Sequence, residues 1–356
     1  MGILVKRTTE KGLFGFVLLL ICAAPIRTQT DSRQPHAFLQ KHFGFSTQEL
    51  ASVDRGKIVT KLLSTSDKRE IAALGVVRLN VSREFFLQRF MDIETFKKSE
   101  FVSQIRKFSD PPRPDDLNDL NLESEHMNAL KKCKVGACNV KIPAALIEQL
   151  RKEVNWSAPG AEKRATETTR RFLLDYVRVY LSEGNGALVE YADRNYQLRL
   201  ADEVRSMLDQ SPYLLESAPE FHKYLGEFPK TQLPGADNFV YWSKERVGSF
   251  KPVLSLTHVT VYNRAESPFK TIIASKQIYA NHYFEGSLAL TWLVDAVTEP
   301  GKTGCYLIYL NRSRMDALRG SFSWLKRYFA RGPVRDGLMK NIELTREKLE
   351  SPTDRP

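Results

Sequence analysis

The sequence predicts an α+β fold in which an antiparallel sheet packs on a long C-terminal helix, with a helical insertion in the middle of the chain. Residues 238–315 form long runs rich in Val, Ile, Thr, Tyr and Trp, which favour strands joined as an antiparallel meander. Residues 143–234 instead carry apolar side chains at helical spacing, and so do residues 316–350. We expect a break in that last helix near Gly332–Pro333, because proline lacks the amide hydrogen that a helix interior uses.

The segments before the helical block predict the rest of the sheet domain. Ser46 is placed to cap a short helix over 46–53. Two β-type runs, 57–65 and 69–81, flank a polar turn and predict a hairpin. Ser82 then caps a helix that extends to about Lys98, and a further strand follows at 101–108.

These elements divide the chain into four parts. We predict a signal peptide at 1–30, a sheet domain made of 31–142 and 235–350, a helical insertion at 143–234 and a flexible tail at 351–356. The helical insertion is either a separate subdomain or a cover over one face of the sheet.

The N-terminus indicates export. A basic start precedes an unbroken apolar run from Leu13 to Ala24, which is shorter than the roughly 20 residues that span a bilayer as a helix. We therefore predict a secretory signal peptide, cleaved near residues 24–30, and a periplasmic or extracellular protein. Lipidation at Cys22 and an uncleaved anchor are the alternatives.

The charge balance narrows the class of partner. The chain has a formal net charge of +11, but its basic residues are interleaved with acidic ones along most of its length. Such a pattern is typical of a solvated surface, or of contact with anionic envelope lipid or polymer, and it argues against nucleic acid. No cofactor or metal signature is present, so we predict neither.

Two cysteines lie close together after the first sheet segments. Cys133 and Cys138 are separated by four residues that include Gly136, which lets the chain turn back on itself. In an oxidising compartment we predict a local disulfide between them, with a redox-active pair as the alternative. We expect Cys305, at the start of a strand, to be a plain buried thiol.

Two segments carry a family resemblance. The run IAALGVVRLNVSREFFLQRFMDIETFKK at 71–98 is similar to the first strand and following helix of the START and polyketide-cyclase-like superfamily. The segment at 312–350 is similar to the closing helix of that superfamily. The resemblance implies a helix-grip fold, in which a curved sheet wraps a long C-terminal helix around an apolar cavity. The helical block at 143–234 departs from that compact pattern.

The run from Ile272 to Glu285 offers the best candidate site. Strand alternation would place polar and aromatic side chains on one face, where a pocket for an amphipathic ligand could use them. The alternative is a solvated strand face. The predicted ligand-binding residues are Gln277, Tyr279, Asn281 and Tyr283 on that face, His282 on the opposite face, and His258 on a neighbouring strand.

Catalytic chemistry is the alternative hypothesis for these residues. His258 could meet His282 or Glu285 across paired strands for acid–base work, and Cys305 with a histidine could form a nucleophile pair. No spacing specifies either, so we name no catalytic residue. The charged residues near the last strand are expected to form a surface ion-pair group: Asp295, Arg312, Arg314 and Asp316.

Together these patterns predict an exported, non-catalytic binding protein for an apolar or amphipathic molecule such as a lipid. Two alternatives come from other classes. One is a cavity enzyme of cyclase or hydrolase type. The other is a structural or interaction protein of the cell envelope, whose helical block forms the partner surface.

Export gives a direct test. N-terminal sequencing of the mature protein from an exporting host should begin between Pro25 and Gln34, because signal peptidase removes the apolar run. A cytosolic protein that keeps Met1 would contradict the prediction.

Overall fold

The computed structural model describes most of the chain. The predicted signal peptide lies outside the described residues, and so does the tail beyond Ser351. The described ranges are residues 33–246, 251–296, 303–320 and 323–351.

An eight-stranded antiparallel sheet forms the centre of the described structure. Its strand order is β1-β2-β10-β9-β8-β7-β6-β3, and a separate two-stranded pair is formed by β4 and β5. The strands are β1 (Val59–Leu63), β2 (Glu70–Leu79), β3 (Val102–Lys107), β4 (Glu190–Tyr191), β5 (Leu198–Arg199), β6 (Ala236–Glu245), β7 (Val253–Asn263), β8 (Thr271–Ala280), β9 (Phe284–Asp295) and β10 (Cys305–Met315).

Helices cover both faces of this sheet. Short 3₁₀ turns at Pro114–Leu117, Gly184–Ala187 and Asp316–Leu318 connect some of them. The α-helices are α1 (Arg33–Phe43), α2 (Thr47–Asp54), α3 (Arg83–Met91), α4 (Ile93–Lys97), α5 (Ser124–Lys132), α6 (Ala144–Glu153), α7 (Ala161–Glu183), α8 (Leu200–Asp209), α9 (Pro212–Ser217), α10 (Pro219–Glu227) and α11 (Ser323–Glu350).

The predicted fold class is confirmed. Strands β6 to β10 form an antiparallel meander, β1 and β2 form the expected hairpin, and α11 packs against the sheet. The meander joins the hairpin because β10 pairs with β2 over ten residues, from Cys305 opposite Leu79 to Arg314 opposite Glu70. The first and last thirds of the chain therefore share one sheet.

Local capping explains two of the early helices. Ser46 accepts a hydrogen bond from the amide of Glu49, whose carboxylate accepts one from the Ser46 amide, so α2 begins with a full capping box. The helix expected from Ser82 to Lys98 is divided instead. Asp92 interrupts it and caps α4 by accepting from the Thr95 amide at 3.4 Å.

Two apolar cores lie on opposite faces of the sheet. The larger core joins the sheet to α1, α2 and the helices of the 143–234 block, and it buries Trp242 and Trp292 completely. The smaller core packs α3, α4 and the second half of α11 on the other face, around Val77 and Leu293. The helices of the 143–234 block thus cover one sheet face.

The last helix differs from the sequence prediction in one respect. We expected a break near Gly332–Pro333, but α11 runs without interruption from Ser323 to Glu350. Gly332 has no Cβ to clash with the proline ring, so the usual restriction on the preceding residue is relaxed. The carbonyl that loses its partner belongs to Phe329 on an exposed turn, where water can satisfy it.

The predicted surface ion-pair group is wrong for Arg312 and Arg314, which are 4% and 1% exposed. The Nε atom of Arg312 lies 2.6 Å from a carboxylate oxygen of Glu70, and Nη1 of Arg314 lies 2.6 Å from Glu203 on α8. Arg69 joins Glu203 to Glu285 through contacts of 2.8 Å each. Buried charges need such partners, because an unpaired charge in the interior costs several kcal/mol.

The contact between α11 and the sheet depends on Gly75. A methyl group at this position on β2 would overlap the Cδ1 atom of Ile342. We expect Gly75→Ala to lower the free energy of unfolding by about 1–3 kcal/mol through overpacking, as measured by urea denaturation. Gly226→Ala is the matched control, because an added methyl group there meets nothing within 4 Å.

Combining Gly75→Ala with Ile342→Val removes the overlapping carbon. The loss in the double variant should be smaller than the sum of the two single losses. Additive losses would show that the overlap is not what limits this position.

Candidate functional site

The predicted site strand is shorter than expected. Strand β8 ends at Ala280, residues 281–283 form a turn, and β9 begins at Phe284. Within β8, Tyr279 pairs with Leu256 while Gln277 pairs with the next residue of β7, so Ile278 is an extra, bulged residue. The predicted single face of Gln277, Tyr279, Asn281 and Tyr283 is therefore wrong.

Because of the bulge, the Tyr279 side chain lies on the opposite face of the sheet from the one that strict alternation predicts. Ile278 and Tyr279 both belong to the larger core, whereas Ile273 belongs to the smaller core. Gln277 is four residues after Ile273 and lies on the same face of the strand. Two tyrosines of the 143–234 block, called here the helical layer, stabilise the irregular backbone. The Tyr176 hydroxyl donates to the carbonyl of Ile278, and the Tyr191 hydroxyl accepts from the amide of Ala280 at 2.8 Å.

Tyr279 and Asn281 are both 2% exposed, and their polar groups are used internally. The Tyr279 hydroxyl donates to the carbonyl of Lys141 at 3.2 Å. Asn281 accepts from the amide of Leu254 at 2.8 Å, and its amide nitrogen donates to Nδ1 of His126 at 3.2 Å. These two side chains hold the turn in place.

Tyr283 adopts a left-handed conformation with φ of 60°, which is unusual for a residue other than glycine. Its hydroxyl accepts from the amide of Lys251 at 2.9 Å, and its carbonyl accepts from the amide of Asp316 at 2.9 Å. Tyr283 thus fixes the turn between β8 and β9 to the segments on either side.

His282 lies beside a second histidine that the sequence analysis missed. Its ring is 6.0 Å from the ring of His126 on α5, and both line a cleft of about 40 Å³ with Glu125 and Lys251. Burial lowers the pKa of His126 to about 3 and that of His282 to about 4, so both are neutral at neutral pH. The amphipathic pattern of 124–132 could have revealed His126 from the sequence, because this pattern buries His126 together with Met127.

Within the described ranges, no group of three or more His, Cys, Asp or Glu side chains could hold a metal ion. The cleft beside the two histidines has room for about one water molecule.

His258 lies in a separate cluster. From the sequence we considered that it could meet His282 or Glu285, but its neighbours are other residues. It is paired across strands with Val240 and Lys276. Its Nδ1 is 2.7 Å from the hydroxyl of Tyr180 on α7, and its Nε2 is 3.0 Å from Oδ1 of Asn238. Burial, and then the charge of Lys276, hold the pKa of His258 well below its usual value.

Lys276 is the second buried base of this cluster, at 2% exposed. Its Nζ donates to Oδ1 of Asn185 at 2.6 Å and lies 5.2 Å from the ring centre of Tyr180 and 5.4 Å from that of Phe228. Burial lowers its pKa to about 7. A neutral lysine amine is a nucleophile, but here the two rings and Asn185 enclose it.

Two larger clefts border this region. The first, called here the apolar groove, has a volume of about 340 Å³, and Glu190 is its one charged member. It lies between α6, α7 and the segment before β4. Its lining residues are Pro143, Ala144, Ala145, Phe172, Tyr176, Ala187, Leu188, Val189, Glu190, Tyr191 and Ala192.

The second, called here the charged cleft, has a volume of about 730 Å³ between the end of α7, α8 and α10. Its floor includes Leu208 and Phe228, and its walls carry both signs of charge. The charged side chains, apart from His222, are Glu183, Asp202, Asp209, Glu227, Arg199, Arg205, Lys223 and Lys230. The apolar groove and the charged cleft flank the same 3₁₀ turn, Gly184–Ala187.

The cysteine residues have the predicted arrangement. The sulfur atoms of Cys133 and Cys138 lie at disulfide distance, and Gly136 between them has a φ of +81°, which favours glycine. The amide of Gly136 donates to the carbonyl of Ala192 at 2.8 Å, so this turn supports one end of the apolar groove. Cys305 is a buried free thiol, and burial raises its pKa to about 12.

The comparisons with known proteins do not assign a class. No family model matches the chain, and no curated protein is significantly similar to it. Among the described helices, none is both long and apolar enough to cross a bilayer.

The buried Lys276 should make stability depend on pH. Its folded pKa near 7 lies below the value near 10.4 of an unfolded lysine, so between these values the unfolded chain holds a proton that the folded chain lacks. The free energy of unfolding should therefore rise from about pH 7 to about pH 9, by up to about 1.4 kcal/mol per pH unit. Urea denaturation at several pH values measures this slope.

Lys276→Met should flatten that rise, whereas Lys163→Met, at an exposed position on α7, should keep it. Equal slopes in the wild-type protein and Lys276→Met would show that Lys276 stays protonated in the folded protein.

Proposed function

We propose that this protein is an exported binding protein for an apolar or amphipathic small molecule, with the apolar groove as its site. The observation that carries the proposal is the groove of about 340 Å³, whose lining side chains are aliphatic or aromatic apart from Glu190. Ligand pockets typically measure about 300–1,000 Å³ and combine apolar walls with a few polar groups.

The walls of the groove are suited to apolar contact. Phe172 and Tyr176 are half-buried on α7, so part of each ring is available to a ligand. The Tyr176 hydroxyl is already bonded to the backbone of Ile278 and Val189. Its ring can thus gain contact area without leaving a buried polar group unpaired.

The charged cleft supports the amphipathic part of the proposal. An apolar body in the groove would leave a polar head near the 3₁₀ turn Gly184–Ala187, which also borders the charged cleft. The tyrosines of the groove contact the irregular end of β8, so the ligand would lie one layer outside the residues that the sequence suggested. The resemblance to the helix-grip superfamily and the predicted export are consistent with a lipid-like ligand.

A groove-filling variant tests the site. Ala145 is exposed at the rim of the groove on α6, so Ala145→Trp should fill it without disturbing the core. We expect at least a tenfold weaker affinity for a dansyl-labelled medium-chain fatty acid, because the indole would occupy space needed by the apolar chain. Fluorescence titration measures the Kd, and thermal melting checks the fold.

Ala265→Trp is the matched control, because Ala265 is exposed in the turn between β7 and β8 and lines neither cleft. It should leave the affinity within about threefold of wild type. If Ala145→Trp leaves the affinity unchanged, or if Ala265→Trp weakens it equally, the apolar groove is the wrong site. If the wild-type protein does not bind the probe, and native mass spectrometry shows no co-purified lipid, the proposed function is wrong.

A further inference from the structure

We infer that the first turns of α11 bind the surface of a membrane that contains anionic lipids. Six large apolar side chains are well exposed in the described residues, and three of them lie together in this short stretch. Tyr328 and Phe329 are 67% and 69% exposed, the highest values of the six. The others are Leu325 in the same turns, and Val135, Val179 and Leu215 at scattered positions.

The three side chains share one side of the helix. Leu325, Tyr328 and Phe329 are three and four residues apart, which places them on neighbouring positions of one helical face. The contacts of α11 with the smaller core involve Val334 and the residues beyond it, so this face lies outside the core. Arg327 attaches the same turns to the body of the protein by donating to the hydroxyl of Thr65 at 2.7 Å.

The charges around this face indicate that its partner is an anionic surface. Lys326 and Arg331 are exposed next to the apolar side chains, and the helix contains no acidic residue before Asp336. A helix with exposed aromatic residues beside basic ones is suited to the interface of a bilayer, where rings enter the headgroup region and cations meet anionic headgroups. An apolar patch without this charge would not favour anionic lipid over another apolar partner.

The surface is independent of the proposed small-molecule site. It lies on α11, whereas the apolar groove is formed by α6, α7 and the segment before β4. Vesicle binding should therefore survive Ala145→Trp. A wild-type protein that binds vesicles but not the fatty acid would count against the groove alone, and one that binds the fatty acid but not vesicles would count against the α11 surface alone.

Co-sedimentation with vesicles tests the inference. The mature full-length protein should sediment with vesicles of phosphatidylglycerol and phosphatidylcholine in equal parts, and much less with phosphatidylcholine alone. Added salt should weaken the binding, because exposed charges are screened. Lys326→Gln combined with Arg331→Gln should lower the partition coefficient about 30-fold, as expected for two basic residues near an anionic surface.

Tyr328→Ser combined with Phe329→Ser should also lower the partition coefficient at least tenfold, because the rings no longer enter the interface. Val179→Ser combined with Leu215→Ser is the matched control, since it removes two exposed apolar side chains from other surfaces. Circular dichroism and thermal melting should show that all variants fold.

Three results would overturn the inference. The first is absence of binding to anionic vesicles. The second is an equal loss of binding in the control variant. The third is a lipid-free dimer of the wild-type protein that the Tyr328 and Phe329 substitutions convert to a monomer, because the face would then contact a second copy of the chain.

Discussion

The buried ion network is the constraint on which the rest of the structure depends. Among the described residues it joins four arginines to four carboxylates: Arg69, Arg312, Arg314 and Arg319 with Asp67, Glu70, Glu203 and Glu285. Its centre is buried, whereas Arg69, Asp67 and Arg319 at its edge are partly exposed. The members of the network come from β2 and the turn before it, from α8, from the start of β9, and from β10 and the turn after it. Removing one member of its buried pairs, such as Glu70 with Arg312, leaves a buried charge uncompensated, which costs about 3–5 kcal/mol. Glu203 on α8 reaches both Arg69 and Arg314, so these ion pairs attach the helical layer to the sheet.

The irregular end of β8 lies where the helical layer meets the sheet. With α7 and the segment before β4 held against the sheet, the hydroxyls of Tyr176 and Tyr191 meet the backbone of Ile278 and Ala280. A bulge leaves one backbone residue without a cross-strand partner, and here a side chain of the helical layer supplies the missing hydrogen bond. The same two tyrosines form walls of the apolar groove. The groove thus lies where these two tyrosines hydrogen-bond to the backbone of β8.

The buried bases lie on the sheet face that meets this layer. Lys276 and His258 face each other across β7 and β8, and the aromatic rings of Tyr180 and Phe228 exclude water from them. Burial favours their neutral forms, which is why the pKa values of both residues are lowered. The start of α11 shows the opposite environment, because its basic and aromatic side chains remain in solvent.

The sequence by itself determined the elements, because their signals are local. Alternation and β-branched residues identified the meander, helical spacing identified α6, α7 and α11, and Ser46 and Gly136 marked a cap and a turn whose chemistry involves only neighbouring residues. Tertiary structure decided what depends on partners distant in the chain. The burial of Arg312 and Arg314 requires carboxylates more than a hundred residues away, and the reversal of Tyr279 follows from a bulge that no local pattern of β8 encodes. A charged or aromatic residue has the same local pattern whether it faces water or a partner, so only the folded chain could separate the buried network and the groove from the exposed face of α11.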